Sequence, residues 1–354
     1  MALEKKTKKA APLTLANVDK RMHDKFGKDI FVSAKSIIDT PKMIIPVSPA
    51  LDLSLGGGIQ EGGFVVITGP PKVGKTSMCL HFASIAQQPQ YNSLLTPSRK
   101  NRKVFFFNVE GRIKARDLAG VPGLLTSIND FQVIKSVPGR ILNAEDYLEI
   151  LEAYIHTYPG AIFIIDSISQ LCSSMRMASG IGDRIRDDVP LMISNLTKRV
   201  SNVLPINDSI VMCITHMYAN QDPKSMKKWA EASGQKIQYA REIKLRATHS
   251  TPYMDGDVQV GQIVHWVCDT SSIGPPGGKA DSLLRYGGGL DKEYELVQLG
   301  KDLNLITVAG SWYTIGDDKM QGADKAANFL RENPDIFNDL HSKFREMMGL
   351  NHVC

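Results

Sequence analysis

The residues FVVITGPPKVGKTS, from Phe64 to Ser77, decide the fold of this chain. The first five, Phe64–Thr68, are apolar or β-branched and predict a short buried strand. Gly69–Thr76 then match the pattern G-x-x-x-x-G-K-T, in which glycines let backbone N–H groups wrap a phosphate. The apolar residues after this turn predict a helix, whose N-terminus adds partial positive charge. The order of strand, glycine-rich turn and helix therefore predicts a phosphate-binding loop in an α/β sheet.

The side chains of this loop fit a nucleotide together with its metal ion. Lys75 is expected to place its ammonium on the β- and γ-phosphates, and Thr76 is expected to place its hydroxyl on Mg²⁺. The candidate nucleotide-binding residues are Gly69, Pro70, Pro71, Lys72, Val73, Gly74, Lys75, Thr76 and Ser77.

Three further apolar runs predict buried strands, and each is followed by a polar residue at its carboxyl end. They are Val104–Asn108 before Glu110, Ala161–Ile165 before Asp166, and Ser209–Ile214 before His216. Ligands of open α/β sheets bind outside the carboxyl ends of the strands, so these residues are site candidates. Asp166 is expected to reach Mg²⁺ directly or through water. His216 is expected to sense phosphate, although a lone histidine also fits a purely structural role.

The composition excludes several classes of protein. The 354 residues are 43% hydrophobic and 22% charged, which is typical of a soluble globular protein, and no apolar run is long enough to predict a membrane span. The five scattered cysteines contain no C-x-x-C pair, which indicates a reducing compartment and argues against zinc. The basic N-terminus lacks the apolar segment of a secretory signal and is interpreted as a solvated tail or a phosphate-contacting arm. The net charge of +5 is compatible with a polyanion partner.

Two polar segments near this edge of the sheet are candidate nucleic-acid loops. Residues 175–188 carry arginines and glycines, and residues 217–236 interleave lysines with aromatic residues, a pattern that suits a phosphate backbone with stacked bases. A solvated loop without a ligand is the alternative for each. The candidate DNA-binding residues are Arg176, Arg184, Ile185, Arg186, Lys224, Lys227, Lys228, Trp229, Gly234 and Lys236.

Three regions are predicted along the chain: an N-terminal segment at 1–47, a core at 48–286 and a small C-terminal domain at 287–354. The first contains a helix within 13–27 that ends at Gly27, and Ile30–Val32 are a candidate for a short strand. Further predicted elements are a surface insertion at 87–103, one helix at 189–204, and strands at 241–248, 259–268 and 282–286.

Taken together, these segments resemble the RecA recombinase family over nearly the whole chain. The presence of histidine at position 216 resembles the phage UvsX-like branch of the family. The divergent inserts favour a phage-encoded member. The matching stretches, in order, are KRMHDKFGKDIF, LDLSLGGGIQEGG, GPPKVGKTS, FFFNVEG, IFIIDSISQL, SGIGD, VMCITH, RYGGGLDKEYELVQLG, AGSWYTIG and NFLRENPDIF.

The resemblance implies a RecA-type P-loop ATPase core, with a central, mostly parallel sheet flanked by helices. It also implies a small N-terminal element that docks on a neighbouring protomer and a small α+β C-terminal domain. It assigns catalysis to Glu110, which would orient and deprotonate the attacking water, with Lys75 and His216. Residues 175–188 and 217–236 match the first and second DNA-binding loops, and His216 would link the γ-phosphate to the second.

The function that the resemblance implies is that of an ATP-dependent homologous recombinase. Such a protein forms helical filaments on single-stranded DNA, searches a duplex for homology and exchanges strands. The implied cofactors are ATP and Mg²⁺. The implied partners are single- and double-stranded DNA, further copies of the chain, a single-strand-binding protein and a mediator, with no membrane and a cytoplasmic location.

Two departures from the family pattern stand out. Cys268 and Thr270 occupy the region where two lysines of bacterial RecA reach the neighbour's nucleotide, and Lys279 or Arg285 are the candidate substitutes. The aromatic residue that stacks on adenine has no clear counterpart in the short stretch GRIKARDLAG.

Two other functions stay open from the sequence. A hexameric helicase motor on the same core would form closed rings, and a non-hydrolysing recombination mediator would lack ATPase activity. Microscopy separates a filament from a ring, and ATPase assays with and without DNA separate an enzyme from a mediator.

Overall fold

The computed structural model describes residues 15–98, 100–184, 186, 188–219, 229–231 and 241–350 of the chain. Among the described residues, those up to Pro41 and those from Lys42 onward belong to two separate compact units. The helices are α1 (Leu15–Phe26), α2 (Ala34–Asp39), α3 (Pro49–Leu55), α4 (Lys75–Ala86), α5 (Ala115–Ala119), α6 (Ala144–Thr157), α7 (Ser174–Ala178), α8 (Val189–Val200), α9 (Val203–Ile206), α10 (Lys292–Asp302), α11 (Ala323–Glu332) and α12 (Pro334–Met347).

The strands of the described residues form three sheets. They are β1 (Ile44–Ile45), β2 (Ile59–Gln60), β3 (Phe64–Gly69), β4 (Val104–Asn108), β5 (Phe131–Ile134), β6 (Ile162–Asp166), β7 (Ile210–Ala219), β8 (Trp229–Glu231), β9 (Arg241–Asp255), β10 (Val258–Thr270), β11 (Gly278–Arg285), β12 (Gly289–Leu290), β13 (Thr307–Ala309), β14 (Trp312–Ile315) and β15 (Asp318–Gln321).

The N-terminal unit contains α1 and α2. As predicted, α1 ends at Gly27, whose φ of +88° closes the helix through a bond from its N–H to the carbonyl of His23. The predicted strand at Ile30–Val32 is wrong, because these residues form no ladder and lie exposed before α2. This unit presents large apolar side chains to its surroundings, namely Phe26, Ile30, Phe31, Val32, Ile37 and Ile38.

The central sheet has the order β12-β11-β10-β9-β3-β7-β6-β4-β5. The six strands from β9 to β5 run parallel, and an antiparallel meander continues the sheet from β9 to β12. The predicted α/β core with a mostly parallel sheet is therefore confirmed. Since parallel strands share one direction, their carboxyl ends bring distant sequence segments to a common edge.

Helices cover both faces of this sheet, which explains why its strands read as continuous apolar runs. Val65 and Ile67 of β3 point into one core with α4, whereas Phe64 and Val66 point into the opposite core with α6 and α8. The β-strand period of two sends alternate side chains to the two cores. Both faces of β3 are thus buried, and the loop that follows it starts from a rigid support.

The C-terminal segment builds a small α+β unit of its own. Helices α10 to α12 pack with the antiparallel sheet β13-β14-β15 around a separate core that includes Leu296, Leu330 and Phe344. The ion pair between Arg345 of α12 and buried Asp52 of α3, at 3.1 Å, links this unit to the core. The domain boundaries at 47/48 and 286/287 stay predictions.

Two element predictions need correction. The single helix expected at 189–204 breaks into α8 and α9, because Pro205 has no N–H, and its ring would clash with the carbonyl of Ser201 in a continuous helix. The insertion at 87–103 is not wholly a surface segment, because Arg102 is buried. Its guanidinium donates to the carbonyls of Tyr91 (2.6 Å), Gly160 (3.0 Å) and Asp208 (2.9 Å) and pairs with Glu61.

None of the helices in the described ranges combines the length and the apolar character that crossing a membrane requires.

Buried Glu295 of α10 makes a pH-dependent contribution to stability. Its Oε2 accepts the N–H of Ala50 at 3.1 Å, in the first turn of α3. Burial raises the pKa of Glu295 to about 7, against the opposing effects of the Ser48 hydroxyl and the Ala50 N–H. The folded protein therefore holds this proton more tightly than the unfolded chain, so stability falls as pH rises from about 4.5 to 7.

We expect Glu295→Gln to remove this part of the pH dependence. Since one pKa unit corresponds to about 1.4 kcal/mol, the wild type should lose roughly 2–4 kcal/mol more unfolding free energy than the variant between about pH 5 and pH 8. Urea unfolding at both pH values measures the difference. The control is exposed Glu346→Gln in the same unit. Parallel pH profiles for wild type and Glu295→Gln would contradict the assignment.

Candidate nucleotide and DNA site

The phosphate-binding loop leaves β3 at Gly69 and enters α4 at Lys75. Gly69 and Gly74 adopt φ values of +153° and +103°, a region that favours glycine. A Cβ at Gly69 would lie 2.7 Å from the carbonyl oxygen of Ala247, and one at Gly74 would lie 2.9 Å from Leu284 Cδ2. Conformation therefore favours glycine at both positions, and the backbone contact at Gly69 requires it there, which keeps the backbone of the loop in a fixed curve.

Lys75 lies inside this curve and is only 4% exposed. Its Nζ donates to the carbonyl oxygens of Gly69 at 2.9 Å and Pro70 at 2.6 Å. Burial lowers the pKa of Lys75 to about 8, although the carboxylates of Asp166 and Glu110 oppose the shift. The ammonium is thus held by neutral carbonyls in a desolvated place, where an anion would be a stronger partner.

Thr76 and Asp166 meet at the same edge, 90 residues apart in sequence. The Thr76 hydroxyl donates to Asp166 Oδ2 at 2.7 Å. A hydroxyl and one carboxylate suit Mg²⁺, which keeps several waters and takes its other ligands from phosphates. The described ranges contain no cluster of three or more histidine, cysteine, aspartate or glutamate side chains that could hold a metal.

Glu110 lies beside this pair, just after β4. Its N–H donates to the carbonyl of Asp166 at 3.1 Å. Its Oε1 accepts the Ser167 hydroxyl at 2.6 Å and contacts His216 Nε2, while its Oε2 lies 3.3 Å from Arg112. The sheet therefore brings the predicted residues Lys75, Thr76, Glu110, Asp166 and His216 together at one edge.

The two carboxylates of this edge differ in their electrostatic environment. Burial alone would raise the pKa of Glu110, but hydrogen bonds from Ser167 and His216 outweigh it and bring the pKa below its ordinary value. Burial raises the pKa of Asp166, against the hydrogen bond from Thr76. The negative charge is therefore better stabilised on Glu110 than on Asp166 in the free protein.

A chain of contacts connects this edge to both candidate loops. The N–H of His216 donates to the Ser169 hydroxyl at 2.9 Å, and Ser169 lies in a 3₁₀ turn that leads toward α7 and the first loop. His216 itself lies in β7, which continues toward the second loop. One histidine thus contacts Glu110 through its ring and the segment before the first loop through its backbone.

The first candidate loop exposes charged and apolar side chains together. Arg176, Arg184 and Arg186 are exposed, as are Met175 and Met177 at 48% and 45% and Ile181 fully. Glu145 of α6 fixes the start of the segment, because its carboxylate accepts the N–H of Ser174 at 3.0 Å and its hydroxyl at 2.6 Å. Exposed arginines suit phosphates, and the apolar side chains offer surfaces for bases.

Most of the predicted second-loop residues lie outside the described residues. Trp229 is placed in β8, which pairs antiparallel with β7, but only its backbone is described. The predicted residues outside the described ranges are Ile185 of the first loop and Lys224, Lys227, Lys228, Gly234 and Lys236 of the second.

A cavity of about 390 Å³ opens beside the first turn of α4. Ser77, Arg116, Asp117 and Tyr286 are among the residues that line it. Tyr286 is 56% exposed, and its hydroxyl accepts a hydrogen bond from Gln259 Nε2 at 2.7 Å. The ring of Tyr286 and the guanidinium of Arg116 can stack on a nucleotide base, and the carboxylate of Asp117 can accept a hydrogen bond from the amino group of that base. No sequence pattern marks this aromatic candidate, because Tyr286 lies about 170 residues beyond Arg116.

Arg285 and Lys279, the two candidate substitutes for the inter-subunit lysines, differ in their surroundings. Arg285 pairs with Asp291 and Asp324 of its own chain, so it is engaged within the chain. Lys279 lines a cavity of about 510 Å³ between β11 and α10.

Comparison with known proteins agrees with this architecture. Residues 294–349 match the RecA C-terminal domain family. Protein RecA of Nocardioides sp. is 27% identical over 345 residues, which cover 97% of this chain and 92% of that protein. Protein RecA of Streptomyces coelicolor is 26% identical, covering 97% and 86%. Protein RecA of Bacillus velezensis is 24% identical over 336 residues, covering 94% and 91%.

Proposed function

We propose that this chain, which is similar to RecA proteins over 97% of its length, is a RecA-family recombinase, a DNA-dependent ATPase that forms helical filaments on single-stranded DNA and exchanges homologous strands. The observation that carries this proposal is the single edge where Lys75, Thr76, Asp166, Glu110 and His216 meet. Such an edge can bind a nucleotide and position the attacking water, and it can couple nucleotide binding to the two candidate DNA-binding loops.

ATP would bind along the glycine-rich loop with its phosphates toward Lys75. The lysine would exchange the carbonyls of Gly69 and Pro70 for phosphate oxygens. Thr76 and Asp166 would hold Mg²⁺, which neutralises phosphate charge when bound. Because Lys75 is buried, its charge acts in a weakly screened environment, and this favours binding of the triphosphate.

Glu110 would act as the general base for the attacking water. A carboxylate beside the γ-phosphate can take a proton from a water that lies within hydrogen-bond distance. Ser167 and His216 fix its orientation in the free protein. The contact between His216 and Glu110 would change with the nucleotide, and the backbone link to Ser169 would carry that change toward the first loop.

The N-terminal unit would supply the contact between copies. It presents Phe26, Ile30, Phe31 and Ile38 at exposures of 50% or more, and apolar surface of this kind marks an interaction site. Docking on a second copy of the core would give a head-to-tail contact, which builds an open helix when it does not close. We place the filament, with its DNA and accessory partners, in the cytoplasm.

The most direct test of this function has two parts. Purified protein should hydrolyse ATP with Mg²⁺ several-fold faster when single-stranded DNA is added, and it should convert a single-stranded circle and a homologous linear duplex into exchanged products. Hydrolysis without strand exchange, together with unwinding of a forked duplex, would instead favour a motor. DNA binding without hydrolysis would favour a mediator.

We expect Tyr286→Ala to weaken ATP binding by about 5- to 150-fold, since base stacking contributes roughly 1–3 kcal/mol. Binding of inorganic triphosphate should not change, because it has no base. Competition of both ligands against a fluorescent nucleotide measures the two effects, and Tyr286→Phe should retain most of the affinity. Equal losses for ATP and triphosphate would place the base elsewhere.

A further inference from the structure

Arg112 lies against the catalytic carboxylate, in a turn that the backbone fixes. Gly111 adopts a φ of +67°, and the N–H of Arg112 donates to Asn108 Oδ1 at 3.1 Å. These contacts bring Arg112 back over Glu110, where its guanidinium Nη1 lies 3.3 Å from Oε2. The turn thus positions a cation next to the oxygen that Ser167 and His216 leave open.

With Arg112 in place, both oxygens of Glu110 are engaged. Oε1 contacts Ser167 and His216, and Oε2 faces Arg112. A general base needs an oxygen that can accept from water, and a cation beside that oxygen both occupies it and weakens its pull on a proton. The geometry of the free protein is therefore unfavourable for proton abstraction.

The two side chains of this ion pair differ strongly in exposure. The Glu110 side chain is 9% exposed, whereas that of Arg112 is 77% exposed. An ion pair with such an exposed partner is weak and reversible, so it can open without disturbing the core. The Arg112 side chain can therefore move away from Glu110 while the Glu110 carboxylate keeps its position.

We propose that Arg112 is a positioning residue that holds Glu110 in a resting orientation and suppresses ATP hydrolysis until DNA binds. This inference rests on the proposed function, because it concerns the base of the same reaction. The pair between Arg112 and Glu110 opens in the DNA-bound state, which frees Oε2 for the attacking water. Arg112 therefore contributes to the dependence of hydrolysis on DNA rather than to nucleotide binding.

Steady-state ATP hydrolysis of Arg112→Gln, with and without single-stranded DNA, tests this inference. We expect kcat without DNA to rise about three- to ten-fold, while KM for ATP and kcat with saturating DNA stay within two-fold of wild type. Arg112→Lys should restore most of the suppression, because an ammonium can still reach Oε2. Exposed Arg140→Gln, an identical change on the loop after β5, is the control and should leave both rates unchanged.

Other outcomes overturn the inference in distinguishable ways. A fall of kcat both with and without DNA would make Arg112 a direct contact of the reacting phosphate. An unchanged rate without DNA, in a protein whose wild type responds to DNA, would remove the resting role while the proposed function stands. A wild type that shows no DNA-stimulated hydrolysis would overturn both.

Discussion

Lys75→Ala should abolish nucleotide-dependent DNA binding. The ammonium is buried among the carbonyls of the glycine-rich loop, so its loss removes the cation that faces the phosphates. Truncating one partner of a buried charge pair costs about 2–5 kcal/mol, which weakens nucleotide binding by about 30- to 5,000-fold. Fluorescence anisotropy of labelled single-stranded DNA, with and without a non-hydrolysable ATP analogue, measures the effect.

The matched control for this variant is Lys198→Ala on α8, an exposed lysine away from the glycine-rich loop. The control should keep the difference between nucleotide-bound and nucleotide-free DNA affinity. If Lys75→Ala kept that difference as well, the assignment of the phosphate-binding loop would be wrong.

Glu110→Gln should stop hydrolysis while leaving the nucleotide bound. Glutamine keeps the size of the side chain and can still accept the Ser167 hydroxyl, but it cannot take a proton from water. General base catalysis contributes about 10²–10⁴ in rate, so kcat should fall by that range with ATP affinity within about three-fold. A phosphate-release assay and a nucleotide-binding titration measure the two quantities.

Exposed Glu149→Gln on α6 is the matched control, and its kcat should equal that of the wild type. Retention of more than about a tenth of the wild-type rate by Glu110→Gln would exclude Glu110 as the base.

The sequence was sufficient to predict the strands that build the site. The strands β3, β4, β6 and β7 are buried on both faces, so each contains an apolar run that a polar residue follows, although β7 itself continues past Thr215 and His216 to Ala219. The length of β9, the first strand of the antiparallel meander, was underestimated for the opposite reason. In β9 the buried positions end near Ala247, and the rest of the strand to Asp255 is largely exposed, so no apolar pattern marks it.

The side-chain contacts within the site could not be predicted in the same way. Arg112 reaches Glu110 only because Gly111 turns the backbone, and Ser167 and Ser169 acquire partners only when the parallel strands align. These residues carry no motif of their own. Their positions follow from the register of strands separated by dozens of residues, which composition and periodicity do not specify.

Buried polar residues were missed for a related reason. Arg102 lies in a polar, basic stretch that is typical of a surface loop, but three carbonyls from three segments satisfy its guanidinium. Burial of a charge depends on partners that only the folded chain supplies. The same holds for Glu295, whose partner Ala50 lies 245 residues away.

Electron microscopy of the protein with single-stranded DNA and Mg²⁺, with and without a non-hydrolysable ATP analogue, tests the central claim most directly. We predict extended helical filaments that form with the analogue, that do not form without it, and that Lys75→Ala does not form. Closed rings, or filaments that form equally well without nucleotide, would contradict the claim that ATP at the Lys75 edge controls assembly on DNA.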